Sequence, residues 1–124
     1  MGVNIRIKGE KALMRKLKRM GDDFKMMIPA KLQESGMLLK EEIEASIDGL
    51  RDEPRSVDTG AFLASIEMVP LINGARVSST VDHSIFLEYG TPTINERRHF
   101  RSSMDRLKPI IKEKIQDGVK EVIR

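Results

Sequence analysis

Apolar residues recur with two different periods along the chain, and the change of period separates the predicted elements. Val3, Ile5 and Ile7 alternate with polar residues, which is the pattern of a strand with one buried face. The spacing then becomes helical. It predicts an amphipathic helix over about 10–20 and a longer one from about 22 to 49. We therefore expect the chain to open with one strand and two helices.

The middle of the chain predicts a β-hairpin. Residues 66–72 (IEMVPLI) and 75–81 (ARVSSTV) are rich in residues that favour strands. Asn73-Gly74 joins the two runs, and this dipeptide is the strongest short-range signal for a hairpin turn. Pro70 has no N–H to donate to a neighbouring strand, so we expect it on an edge strand or in a bulge.

The end of the chain predicts one long helix. Apolar residues recur at helical spacing from Phe100 to Val122, and Pro109 is expected to kink the helix. A chain of 124 residues supports one hydrophobic core, so residues 1–124 are expected to form a single domain. The predicted fold class is α+β: a small antiparallel sheet, made of the N-terminal strand and the central hairpin, packed against two N-terminal helices and the long C-terminal helix.

Composition narrows the classes of function without selecting one. The 22 basic and 19 acidic residues are well mixed and leave a formal charge of +3, whereas nucleic-acid-binding proteins usually concentrate basic and aromatic residues on one face. The absence of cysteine excludes disulfides and thiolate metal sites and fits a reducing compartment. Eight methionines and only 4% aromatic residues favour an adaptable core that gains stability by association. No signal peptide or membrane span is expected, so we predict an intracellular product with no membrane partner.

The triplet Asp58-Thr59-Gly60 also occurs in the active-site turn of retroviral-type aspartic proteases. Such a turn must follow a buried strand and bring two carboxylates close enough to share a proton. Here a polar run (RDEPRS) precedes the triplet, and a helix-like run (AFLASI) follows it. The favoured interpretation is structural: Asp58 or Thr59 caps a short helix, and Gly60 allows a tight turn.

A second stretch, Glu88-Tyr89-Gly90-Thr91, ends a short apolar segment and enters a Gly-Thr-Pro bend. Gly90 can take the positive φ angle of a tight turn. Tyr89 could place its ring in the core with its hydroxyl hydrogen-bonded, or it could contact another subunit. Both interpretations stay open: a turn within the chain, or a subunit interface formed by these four residues.

Arg97, Arg98 and Arg101 cluster where the last helix begins. Positive charge at that end opposes the helix dipole, so an acidic group should compensate it. A carboxylate of a neighbouring subunit or a DNA phosphate would serve, and a solvated cluster is the simpler alternative. The two histidines lack a carboxylate at ligand spacing, so we predict no metal site, no cofactor and no catalytic residue.

Taken together, VDTGAFLASI, the hairpin and VDHSIFLEYGTP form a pattern that resembles a family of long-tailed bacteriophage proteins. These are the neck proteins, also described as head–tail joining, tail-completion or minor tail proteins. The chain departs from the family's pattern at 83–86, where a Tyr-Ala pair is common, and at 98–103, where Arg-Pro-Phe is common. The matching positions are Val57, Asp58, Thr59, Gly60, Ser65, Ile66, Glu88, Tyr89, Gly90 and Thr91.

The resemblance implies a structural virion protein without enzymatic activity or a cofactor. It would form a homo-oligomeric ring, expected to be a hexamer, that joins the head-closure or connector protein to the tail terminator or tail tube protein. The ring would leave a channel in which DNA could make non-specific contacts. The protein would be found in the virion, and in the host cytoplasm during assembly. Two alternatives stay open. The first is an aspartic protease that uses Asp58, and the second is a small nucleic-acid-binding regulator, which the pI of about 9.3 favours.

Overall fold

The computed structural model describes residues 2–6, 15, 21–58, 60–71 and 74–123. The helix predicted over 10–20 (apart from Arg15), Thr59 and the turn residue Asn73 lie outside the described residues. The described elements are, in chain order, β1 (Gly2–Arg6), α1 (Asp22–Ile47), α2 (Ala61–Ala64), β2 (Ile66–Leu71), β3 (Gly74–Ser79), α3 (Ser84–Tyr89) and α4 (His99–Ile123).

The three strands form one antiparallel sheet in the order β1-β3-β2, so β3 is the central strand. Val77 of β3 lies opposite Val3 on one side and Met68 on the other. Val77 is buried whereas Arg76 is exposed, as expected when successive side chains point to opposite faces. The predicted hairpin of β2 and β3 is confirmed. Because β2 lies at an edge of the sheet, the edge position predicted for Pro70 is confirmed too.

The helix α1 packs closely against the sheet. Leu32 and Leu39 are fully buried and share one face of the helix. A Cβ atom added to Gly36 would lie only 2.6 Å from the Cβ of Ala75, so the absence of a side chain lets helix and strand approach. The helix continues through Pro29 without restarting there.

The C-terminal helix α4 packs along α1 in the opposite direction. Met27 near the start of α1 approaches Gly118 near the end of α4, while Ser46 near the end of α1 contacts His99 at the start of α4. Phe100 is completely buried in this layer. The fold is therefore α+β, with an antiparallel sheet and a long C-terminal helix. Within the described ranges, no helix combines the length and apolar character needed to cross a membrane.

Candidate functional site at the α3–α4 corner

The two sequence stretches that carry the phage resemblance lie next to each other in the fold. The segment before α2, the helix α3 and the residues that lead into α4 meet at one corner of the molecule, which we call the α3–α4 corner. A cleft of about 290 Å³ lies there. Its lining combines the first stretch with the end of α3 and the arginine cluster, and consists of Arg55, Ser56, Val57, Asp58, His83, Leu87 and Arg97.

The carboxylate of Glu88 fixes the geometry of this corner. Only 1% of Glu88 is exposed, and its Oε1 accepts a hydrogen bond from the backbone N–H of Phe100 at 2.8 Å. Its Oε2 accepts from the backbone N–H of Arg101 at 3.0 Å and from the Nε of Arg101 at 2.9 Å. A negative charge on the first N–H groups of α4 satisfies donors that the helix itself cannot pair, and it complements the helix dipole.

Arg101 has acidic partners within its own chain. They compensate its positive charge without a neighbouring subunit or DNA, and a contact of Arg101 with either stays a prediction. Besides its bonds to Glu88, Arg101 donates to Glu96 at 3.1 Å. The hydrogen bond to Glu88 raises the pKa of the Arg101 guanidinium, which favours its charged form.

The four residues predicted as a subunit interface have different positions. Glu88 is interior, which is a correction, because a lone charged residue in a short apolar run is normally exposed. Tyr89 is 55% exposed, so its ring is not in the core, and the Arg101 guanidinium lies 4.4 Å from the ring centroid. Gly90 has a φ of 79°, which confirms the predicted turn. Thr91 closes that turn by backbone hydrogen bonds in both directions with Ile94.

The helix α3 exposes an apolar surface that the sequence prediction missed. Ile85, Phe86 and Tyr89 are 47%, 55% and 55% exposed, and their spacing places them on one side of this six-residue helix. We call these three side chains the α3 face. Apolar periodicity did not reveal this exposure, because the two buried residues of the helix, Ser84 and Glu88, are both polar.

His99 forms the second polar connection at the corner and was not predicted as a functional residue. It is fully buried, with Nδ1 2.7 Å from Ser46 Oγ and Nε2 2.7 Å from Ser56 Oγ. Ser46 Oγ donates its proton to Glu53 Oε1 at 2.6 Å, so it must accept from the Nδ1–H of His99. The Nε2 atom is then the acceptor for the Ser56 hydroxyl. The Ser56 hydroxyl could also donate to the carbonyl of Pro54 at 3.3 Å, but its contact with Nε2 is much shorter, which favours the neutral imidazole.

The pKa values of this region agree with that assignment. Burial lowers the pKa of His99, which favours the neutral ring. Burial acts to raise the pKa of Glu53, but hydrogen bonds from Arg106 and Ser46 outweigh it and keep the pKa below its ordinary value. Arg106 donates to both oxygens of Glu53, at 2.9 and 2.7 Å, and to Glu42 at 2.8 Å. The network thus ties α4 to α1 and to the loop after it.

The remaining two arginines of the cluster differ in their hydrogen bonds and ion pairs. Arg97 uses Nη1 to donate to the carbonyl of Arg55 at 3.1 Å and to Ser56 Oγ at 2.8 Å. Its Nε and Nη2 donate to no acceptor in the described part of the chain. Arg98 takes a left-handed conformation with a φ of 54°, and its ion pairs with described residues are long, 3.9 Å to Glu96 and 3.8 Å to Asp105.

Of the two residues predicted to cap α2, Asp58 does not occupy the cap position, and Thr59 lies outside the described residues. Gly60 occupies the N-cap position of α2 with a φ of 86°, and Asp58 is exposed at the cleft. The predicted cap by Asp58 is therefore wrong, since the positive φ needed at the start of α2 favours the residue without a Cβ. Asp58 also follows an irregular segment, 48–57, rather than the buried strand that a protease turn requires.

Comparisons with known proteins give no relative from which a function could be inferred. No protein-family model matches the chain, and no curated protein or solved structure matches it either. Among residues whose placement is described, no group of three or more His, Asp or Glu side chains is arranged to hold a metal ion. Function is therefore inferred from the sequence and from the geometry of the α3–α4 corner.

Proposed function

We propose that this chain is a structural subunit of the head–tail junction of a long-tailed bacteriophage. It assembles with copies of itself into a ring between the connector and the tail, and the ring leaves a channel for DNA. The proposal begins from the resemblance of residues 57–66 and 88–91 to neck proteins. It gains support from the fact that Val57 and Asp58 of the first stretch line one cleft together with Leu87, the residue before the second stretch.

The observation that carries the proposal is the exposed α3 face on a fixed support. Three large apolar side chains project from a six-residue helix, and exposed apolar clusters usually mark sites of protein association. The buried Glu88 carboxylate, with its donors on α4, holds the last turn of this helix in place. Such a surface can bind another protein without the entropic cost of ordering a mobile segment.

In the proposed ring, fewer arginines of the cluster are available to contact DNA than the sequence suggested. Arg101 is already paired with Glu88 and Glu96, and Arg97 lines the cleft, so non-specific phosphate contacts fall to Arg98. The complete fold that we propose adds the helix over 10–20 to the described elements. The subunit would assemble in the host cytoplasm, dock on the head-closure protein, offer its other side to the tail terminator or tail tube protein, and remain in the virion.

The experiment that tests the proposal is the native mass of the purified chain, alone and with a purified connector. We expect a discrete assembly of about six subunits of 14.1 kDa, seen as a ring with a central channel by electron microscopy. Phe86→Asp should abolish the assembly, because it places a charge in the α3 face. Val69→Asp is the matched control, since Val69 is 47% exposed on the edge strand β2. A chain that stays monomeric even with the connector, or forms only a dimer, contradicts the proposal.

A further inference from the structure

The cleft at the α3–α4 corner contains an arginine prepared for an anionic ligand. Two acceptors hold Nη1 of Arg97, while its Nε and Nη2 have no acceptor among the described residues. Arg55 lines the same cleft with a side chain 61% exposed, and its only ion pair with a described residue is a long one, 3.6 Å to Asp48. A guanidinium fixed on one side and free on the other can bind a carboxylate with two parallel hydrogen bonds.

The outer face of α4 presents the complementary charge. Glu113, Asp117 and Glu121 are all exposed and stand four residues apart, so they form one acidic stripe along the helix. None of the three has an ion pair with any described residue. Like charges four residues apart destabilise a helix, so a cationic partner would relieve the repulsion. Ile110 lies one turn before the stripe and is 44% exposed.

The acidic stripe cannot reach the cleft of its own chain. His99 lies beside the cleft, 2.7 Å from Ser56, and it begins α4. Asp117 follows 18 residues later in the same helix, which places it about 27 Å away along the helix axis. The two surfaces can therefore meet only between different molecules.

We propose that the cleft binds carboxylates of the acidic stripe of a second copy of this chain, while the α3 face packs on the apolar positions beside that stripe. Asp58 is the one acidic residue in the cleft, and Lys120, three residues after Asp117, is the cation of the incoming helix that faces it. This inference rests on the proposed ring and names its contact. Because two different surfaces meet, the contact is head-to-tail, and repetition closes a ring or extends a filament.

Three variants test this contact. The stripe variant is Glu113→Lys/Asp117→Lys/Glu121→Lys. The cleft variant is Arg55→Glu/His83→Glu, which changes two exposed side chains and keeps the hydrogen bonds of Arg97. The control variant is Asp23→Lys/Glu41→Lys/Glu67→Lys, with the same change of charge at exposed positions elsewhere. Circular dichroism and thermal melting verify that each variant is folded, and sedimentation equilibrium measures association up to about 1 mM, the weak end of specific binding.

The mixing result is the decisive one. We expect the stripe variant and the cleft variant each to associate at least about 100-fold more weakly than the wild type, since each places like charges opposite one another. Mixed in equal amounts, they should associate again into assemblies larger than two chains of 14.1 kDa, because the intact cleft of one variant binds the intact stripe of the other and the two reversed surfaces, lysines opposite glutamates, are complementary as well. The control variant should assemble as the wild type does. Raising the NaCl concentration should weaken association of the wild type.

Several results would overturn the inference. A stripe variant that assembles as well as the wild type, a mixture that stays monomeric although both variants are folded, or a control variant that is equally impaired would each do so. A wild-type chain that shows no association over the measured range would also contradict it. Rings that survive both variants would show that the contact lies elsewhere and leave the proposed function intact. A wild-type chain that forms no ring on the connector would instead reject the proposed function.

Discussion

The two ends of the α1–α4 pair are held by different chemistry. At one end, charged and polar side chains are paired through a continuous set of hydrogen bonds that includes Arg106, Glu53 and His99. At the other end, Ile28 and Ile111 are buried among apolar neighbours, and the approach of Met27 to Gly118 closes the contact. The contact at the first end depends on the direction of its hydrogen bonds and on the protonation states of the side chains. The contact at the second end depends mainly on side-chain volume. A polar end of this kind specifies one geometry, whereas apolar contacts tolerate several.

The largest expected effect is at Glu88. Glu88→Ala would leave two backbone N–H groups of α4 and the Nε of Arg101 without their acceptor, while the Nη2 of Arg101 keeps its bonds to Glu96 and to the backbone carbonyl of residue 88. A buried donor left without an acceptor costs about 1–3 kcal/mol, so two such N–H groups predict a loss of about 2–6 kcal/mol in the free energy of unfolding. Urea unfolding followed by circular dichroism measures it. Glu96→Ala is the matched control: its carboxylate is 47% exposed, and its loss should cost less than about 1 kcal/mol. Equal effects would mean that Glu88 is not the support of the corner.

A smaller effect is expected from the protonation of His99. Its pKa is lowered in the folded chain from the ordinary value of 6.5, chiefly by burial. Below that value the unfolded chain binds more protons than the folded one, so the free energy of unfolding falls as the pH drops from 6.5 through the lowered pKa. The lowered pKa values of Glu42 and Glu53 act in a separate window, below 4.5.

Urea unfolding at a series of pH values checks this slope. His99→Gln should remove the dependence between pH 6.5 and the onset of carboxylate titration at 4.5, whereas His83→Gln, a change at the other histidine, should preserve it. If the slope persists in His99→Gln, a different group causes it and the assigned neutral tautomer loses its support.

The smallest effect is expected at the apolar end. Ile115 is partly buried beside the core on the inner side of α4. Ile115→Met keeps the volume and apolar character, so the free energy of unfolding should change by less than about 1.5 kcal/mol. Ile115→Asp, which places a charge against the same neighbours, should cost several times more. If Ile115→Met were as damaging as Glu88→Ala, the two ends of the helix pair would not differ in the way described.

Local signals in the sequence were sufficient for much of the fold. The hairpin, the long C-terminal helix and the edge position of Pro70 each depend on periodicity or on one residue's backbone chemistry, and the structure has all three. The candidate site could be predicted less well from the sequence. Glu88 is buried because its partners, Phe100 and Arg101, are supplied by another element 12 and 13 residues away, and no periodicity records such a partner. The contact of His99 with Ser46 spans 53 residues and depends on the packing of two helices.

The exposure of the apolar side chains of α3 was the other feature that local signals in the sequence did not predict. Apolar residues in a short helix usually face the core, so Tyr89 was given equal claims to the core and to the surface. The structure resolves the choice because Glu88, its neighbour, takes the inward position. A helix of six residues cannot bury both sides against one core. The acid therefore lies inside, and the aromatic ring lies outside.

Tyr89 also makes the protein its own optical reporter. It is the sole tyrosine, and the chain has no tryptophan, so intrinsic fluorescence under near-ultraviolet excitation comes essentially from a single ring. That ring lies 4.4 Å beneath the Arg101 guanidinium at the α3–α4 corner. A molecule that covers the corner will alter the emission and its quenching by dissolved iodide, whereas events at the far end of α4 will leave both unchanged. Assembly can thus be followed without attaching a dye.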